Sequence, residues 1–194
     1  MVALDRADGH QRWERPYDFS RCENMLYLAA SSGRLVATGS DSNKEFHIYG
    51  FDAADGEELW QQHAPAKKLH HSGHLSHPVI VGQRVYVNKH MLDLASGEVL
   101  EVSDFDWHGC GTAAASQGTL FRRYEYHGML DLASGQRTEM LGVRSGCWLN
   151  LIPAGGLLLA PESSAGCSCS HAVQTSVAYV PLNDHATQPA QSDR

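Results

Sequence analysis

The sequence predicts an all-β chain built of repeated four-stranded antiparallel sheets, and three observations carry that prediction. A seven-residue segment recurs four times, a second glycine-centred hairpin sits between successive copies, and no stretch shows the 3.6-residue apolar period of an amphipathic helix.

The recurring segment aligns without gaps as Ala3–Gly9, Gly50–Gly56, Met91–Gly97 and Met129–Gly135, with Asp at its third place and Gly at its seventh. Its closing glycines, Gly9, Gly56, Gly97 and Gly135, are 47, 41 and 38 residues apart. Each copy reads as strand, tight turn, strand. Asp5, Asp52, Asp93 and Asp131 can accept hydrogen bonds from amides two residues on, and the glycines supply positive φ. Four residues after the glycine stand Trp13 and Trp60 in the first two copies, and Glu101 and Glu139 in the last two.

Between the copies lie further hairpins. Leu26–Ala30 turns at Gly33 into Leu35–Thr38, and Val79–Val81 turns at Gly82 into Val85–Asn88. Thr112–Ser116 turns at Gly118 into Leu120–Tyr124, and Leu149–Pro153 turns at Gly155-Gly156 into Leu157–Ala160. Two hairpins per period make four antiparallel strands, which is one propeller blade, and a period near 40–50 residues is blade-sized. The fold class expected is therefore a β-propeller of about four blades spanning 1–182, followed by a polar tail, 183–194. Read this way, the chain opens in mid-blade and closes on the strand Thr175–Val180, so an arc of a larger propeller is expected. Open blade edges of that kind favour self-association.

Composition narrows the partners. The 194 residues carry a formal charge of −7 with scattered basic residues, which repels nucleic acid. No apolar run reaches the ~18 residues of a membrane span, and the first residues show no signal-peptide pattern.

The first copy and its continuation, Ala3-Leu-Asp5-Arg-Ala-Asp-Gly9-His-Gln-Arg-Trp13, resembles the tryptophan-docking motif of quinoprotein-type (PQQ-like) propellers, with His10 where Lys is usual. Gly50 to Trp60 is similar, with Glu57 at that place. The resemblance implies structural roles for Asp5, Gly9, Trp13, Asp52, Gly56, Trp60, Asp93, Gly97, Asp131 and Gly135. A narrower likeness covers Trp107–Leu182. There Gly109-Cys110-Gly111-Thr112, Gly146-Cys147-Trp148 and Gly166-Cys-Ser-Cys169 resemble the C-terminal part of large exported PQQ-repeat proteins of planctomycete type. It implies a periplasmic or extracytoplasmic location for the intact protein.

Candidate chemistry is sparse. The family's enzymes sandwich PQQ against a disulfide of adjacent cysteines and hold calcium by Glu, Asn and Asp. Here no Cys-Cys pair occurs, and the repeat aspartates sit in turns. No cofactor is expected on this segment, and PQQ with calcium enters only if catalytic blades lie upstream. His70, His71, His74 and His77 fall within eight residues and could ligate a metal or haem iron. A solvated loop is the simpler reading of such a tract. Cys110, Cys147, Cys167 and Cys169 flank glycine turns of adjacent repeats. Cross-repeat disulfides are the first expectation for them, with a structural zinc site or buried thiols as alternatives.

Three functional classes stay open. A non-catalytic scaffold presenting loops to protein partners or other blades stands first. Part of a quinoprotein-type oxidoreductase stands second, and a polysaccharide- or ligand-binding module third.

Overall fold

The computed structural model describes residues 1–66, 75–103, 110–124, 126–162 and 173–181. Among them no helix is present, and none is therefore long and apolar enough to cross a membrane. The strands are β1 (Val2–Leu4), β2 (Gln11–Glu14), β3 (Tyr27–Ser31), β4 (Arg34–Ser40), β5 (Glu45–Asp52) and β6 (Glu58–Pro65). There follow β7 (Val79–Val81), β8 (Arg84–Val87), β9 (His90–Asp93), β10 (Val99–Val102), β11 (Ala114–Ala115) and β12 (Thr119–Tyr124). The last are β13 (Tyr126–Asp131), β14 (Arg137–Met140), β15 (Ile152–Ala154), β16 (Leu157–Ala160) and β17 (Val177–Tyr179).

These pair antiparallel, in chain order, as a two-stranded sheet β1-β2, three four-stranded sheets β3-β6, β7-β10 and β11-β14, and a three-stranded sheet β15-β17. The sheets are blades, and the repeat turns join the third strand to the fourth in each complete one. The first strands of successive sheets adjoin, β3 to β7, β7 to β11 and β11 to β15. Only a fan of sheets meeting along one side does this, so these strands form the inner edge.

Burial follows position in the blade. Strand β5 is covered on both faces. Phe46 and Ile48 join Val36, Trp60 and Ala64 in a core shared with Val85, Val87 and Leu92 of the next sheet. Tyr49 and Phe51 face the other way, onto Met1, Tyr17 and Phe19. The fourth strands β10 and β14 are largely exposed, as the outer edge of a blade must be.

Three strands are shorter than the sequence pattern suggests, the closing one being Val177–Tyr179 where Thr175–Val180 is expected. Strand β11 begins at Ala114 rather than Thr112, because the Thr112 amide is taken by the Asn150 side chain at 2.9 Å instead of a ladder partner. Strand β15 begins at Ile152 rather than Leu149, since the Leu149 amide closes a turn on the Gly146 carbonyl at 3.1 Å.

Candidate functional site

The described residues concentrate their specific chemistry at the junctions between blades. Each repeat turn is closed by the glycine amide on the aspartate carbonyl at 2.9 Å, at Gly9, Gly56, Gly97 and Gly135 alike. Each aspartate Oδ1 accepts the amide two residues on, from Ala7, Ala54, Ala95 and Ala133. In the later copies Ser96 and Ser134 add an amide and a hydroxyl to the same oxygen. Backbone donors therefore hold the carboxyls of Asp5, Asp93 and Asp131 below their usual 3.8.

The indoles sit on these turns. Trp13 Nε1 donates to the Ala53 carbonyl at 3.2 Å, and Trp60 Nε1 to the Leu94 carbonyl at 3.1 Å. The acceptor is in both cases the residue after the aspartate of the next copy. A methyl added at Gly56 would stand 2.7 Å from the Trp13 ring, and one at Gly97 would stand 2.5 Å from that of Trp60. Glycine is needed there twice over, for its φ of 77° or 72° and for the approach of the ring. Directly across the ladder, Ala3 faces Trp13 and Gly50 faces Trp60. A Cβ at Gly50 would be 2.0 Å from the indole, so the facing residue has to be small.

At the third junction the slot has changed. Glu101 occupies the tryptophan place and faces Met91 rather than a small residue. A cavity of about 140 Å³ remains there, lined by Tyr86, Met91, Glu101, Leu132, Gly135 and Arg137 among others.

The last junction is polar. Asn150 Oδ1 accepts the Thr112 amide at 2.9 Å, and its Nδ2 donates to Thr112 Oγ1 at 2.8 Å. Beside it the Arg123 guanidinium lies 3.4 Å from the Cys110 carbonyl and 3.6 Å from Cys147 Sγ. Cys110 and Cys147 thus meet around one arginine, and no disulfide joins them to each other among the described residues. Cys167 and Cys169 lie outside the described residues. Cys22 packs against Gly39 beside the Tyr49–Phe51 core, and burial pushes its thiol pKa up.

Of the histidine tract, His70, His71 and His74 lie outside the described residues. His77 stacks obliquely on Tyr27 with centroids 5.5 Å apart, and its Nδ1 donates to the Pro78 carbonyl at 2.9 Å. The structure instead gathers Glu45, His47 and His63, a group that the sequence reading does not single out. The signal available was weak: alternation puts Glu45 and His47 on one face, but the strand register that brings His63 opposite cannot be read from spacing.

Comparisons with known proteins agree with this architecture. No curated protein matches the chain. BamB from Moraxella catarrhalis superposes with a TM-score of 0.52 at 16% identity, over 84% of this chain and 52% of that one. The chain thus spans about half the length of that protein. The computationally designed Ika4 protein superposes with a TM-score of 0.60 at 13% identity, over 89% of this chain and 98% of the other. The sequence model of the PQQ-repeat family described as outer membrane protein assembly factor BamB matches residues 1–121, more than half of the 194. Repeat, blade order and that match agree, and the chain belongs to this family of PQQ-repeat β-propellers.

Proposed function

We propose that the chain is a set of PQQ-like blades serving as a non-catalytic, protein-interacting scaffold in an extracytoplasmic compartment. The observation that carries this reading is the match of its repeats to a family described as an assembly factor. The disposition of the side chains supports it. The repeat aspartates are engaged in closing their own turns, and the tryptophans in stacking blade on blade. Apolar side chains meanwhile face solvent beside the inner edge, with Met25, Leu26 and Leu28 at 52%, 40% and 45% exposure. Leu26 and Leu28 are two residues apart and share a side. Exposed apolar residues gathered in this way suit contact with another protein.

The test places a photo-crosslinking side chain at Leu28 in the protein, expressed in its own cell. The expected result is a discrete protein adduct that is lost on Leu26→Glu without loss of the fold. Saturable PQQ binding at micromolar concentration with calcium would instead favour the oxidoreductase reading, and an adduct with glycan would favour the binding-module reading.

A further inference from the structure

On the face of the first complete blade that looks away from the β7-β10 sheet, two strands present a group of metal-ligating side chains. Glu45 and His47 are two residues apart on β5 and project to the same side. His63 on β6 is the direct cross-strand partner of His47, and their rings meet edge to face with centroids 4.7 Å apart. One ligand atom from each of the three residues lies within 4.8 Å of the others.

A second, independent observation concerns His47. The residue is 1% exposed, and its Nδ1 is buried without a hydrogen-bond partner among the described residues. Leaving a buried ring nitrogen unsatisfied is costly, and a site of this kind calls for an occupant. The other nitrogen is accounted for: Nε2 lies 3.1 Å from Asp41 Oδ2. A carboxylate can only accept, so Nε2 carries a proton, and in the neutral imidazole the Nδ1 lone pair is the one that can bind a metal. Asp41 is itself fixed, because its Oδ1 accepts the Glu45 amide at 3.0 Å. A carboxylate that orients a histidine through its far nitrogen is the usual outer support of a bound metal.

We propose that Glu45, His47 and His63 form a three-ligand site for zinc or a similar borderline divalent cation, with Asp41 as the positioning residue. Two imidazoles and a carboxylate suit zinc in kind and number, with a water completing the tetrahedron. A tetrahedral ion with ligands about 2.0–2.2 Å away holds them about 3.3–3.6 Å apart. Closing from the present spread requires only small rotations, and Glu45 and His63 are exposed and free to make them. Glu45, His47 and His63 sit on paired strands, which gives the site its rigidity.

The test is calorimetric titration of the full chain with Zn²⁺ alone. It is done in a background carrying His70→Gln, His71→Gln and His74→Gln, so that the tract does not compete. The expected result is one equivalent bound at micromolar concentration or tighter. His63→Gln should weaken it at least tenfold, and Asp41→Asn roughly 10- to 100-fold, as outer-sphere partners do. Co²⁺ substitution should give d–d bands without thiolate charge transfer. Absence of binding, unchanged affinity in the Glu45→Gln/His63→Gln double variant, or a thiolate band that moves the metal to the cysteines would each overturn the proposal.

Discussion

The indole of Trp60 lies against the backbone of Gly97 in the next blade, close enough that a single methyl on that glycine would come within 2.5 Å of the ring. Trp60 is 8% exposed and its Nε1 is satisfied by Leu94 at 3.1 Å. Truncating Trp60 to Ala should therefore cost about 3–5 kcal/mol, the range for large aromatics in cores. Gly97→Ala should also destabilise, by roughly 1–3 kcal/mol, through its positive φ as well as the contact. Urea denaturation measures both, and a loss below about 1 kcal/mol for Trp60→Ala would mean that the indole does not hold the blades together.

The cavity at the third junction yields a repair experiment. At the repeat's tryptophan place, Trp13 stands opposite Ala3 and Trp60 opposite Gly50, whereas Met91 faces Glu101. Glu101→Trp alone should gain little, because the indole would need the space that Met91 fills. Met91→Gly with Glu101→Trp should recreate the Trp60 arrangement on Gly135. Filling the whole 140 Å³ at about 24 cal/mol per Å³ sets a ceiling near 3 kcal/mol. Because the space is partly open to water, the expected gain is about 1–2 kcal/mol. A double-mutant cycle should show the two changes coupled, and additivity would contradict the geometry.

His127 gives a pH dependence with a definite sign. Its ring is fully buried, its Nδ1 shares a 2.9 Å hydrogen bond with the Tyr179 hydroxyl, and it ties β13 to β17. Burial first, and the Arg123 charge second, lower its pKa from 6.5 to about 4. The unfolded chain therefore takes up a proton more readily than the folded one between these values. Stability should be full above pH 6.5 and fall as the pH drops toward 4. Burial lowers His90 in the same direction, so His127→Gln should flatten the slope only in part. Thermal melts across this window check the prediction, and a slope unchanged by His127→Gln would refute it.

Blade architecture was legible because its cause is local. An aspartate that closes its own turn, a glycine at positive φ and the alternation of apolar residues are all written within a few neighbouring positions, at Asp52 and Gly56 as at Asp131 and Gly135. What was not legible depends on register. Nothing near His47 in sequence indicates that His63 will face it, and nothing near Glu101 shows that replacing one tryptophan leaves a hole beside Leu132. The early residues of β11 misled because Thr112 gives its amide to a side chain 38 residues away. The apparent strand pattern could not show that competitor.

That long-range bond supplies the final prediction. Asn150 holds Thr112 with two hydrogen bonds, accepting from the amide at 2.9 Å and donating to the hydroxyl at 2.8 Å. Both residues are partly buried, so neither is fully compensated by water when its partner is removed. Asn150→Ala strips the Thr112 amide of its acceptor and should cost about 1–3 kcal/mol, the range for an unsatisfied buried donor. Thr112→Val leaves the amide bond intact and loses only the hydroxyl, so about 0.5–1.5 kcal/mol is expected. Asn150→Asp keeps an oxygen for the amide, and the threonine hydroxyl can reverse its role and donate to the second carboxylate oxygen, so it should cost the least. The order Asn150→Ala, then Thr112→Val, then Asn150→Asp follows from which atom donates at each bond. Denaturant unfolding of the three variants, with the Asn150→Ala/Thr112→Val double variant to measure coupling, checks it. Equal losses for all three would show that the last blade is joined by packing around Leu151 and Leu158 rather than by this pair.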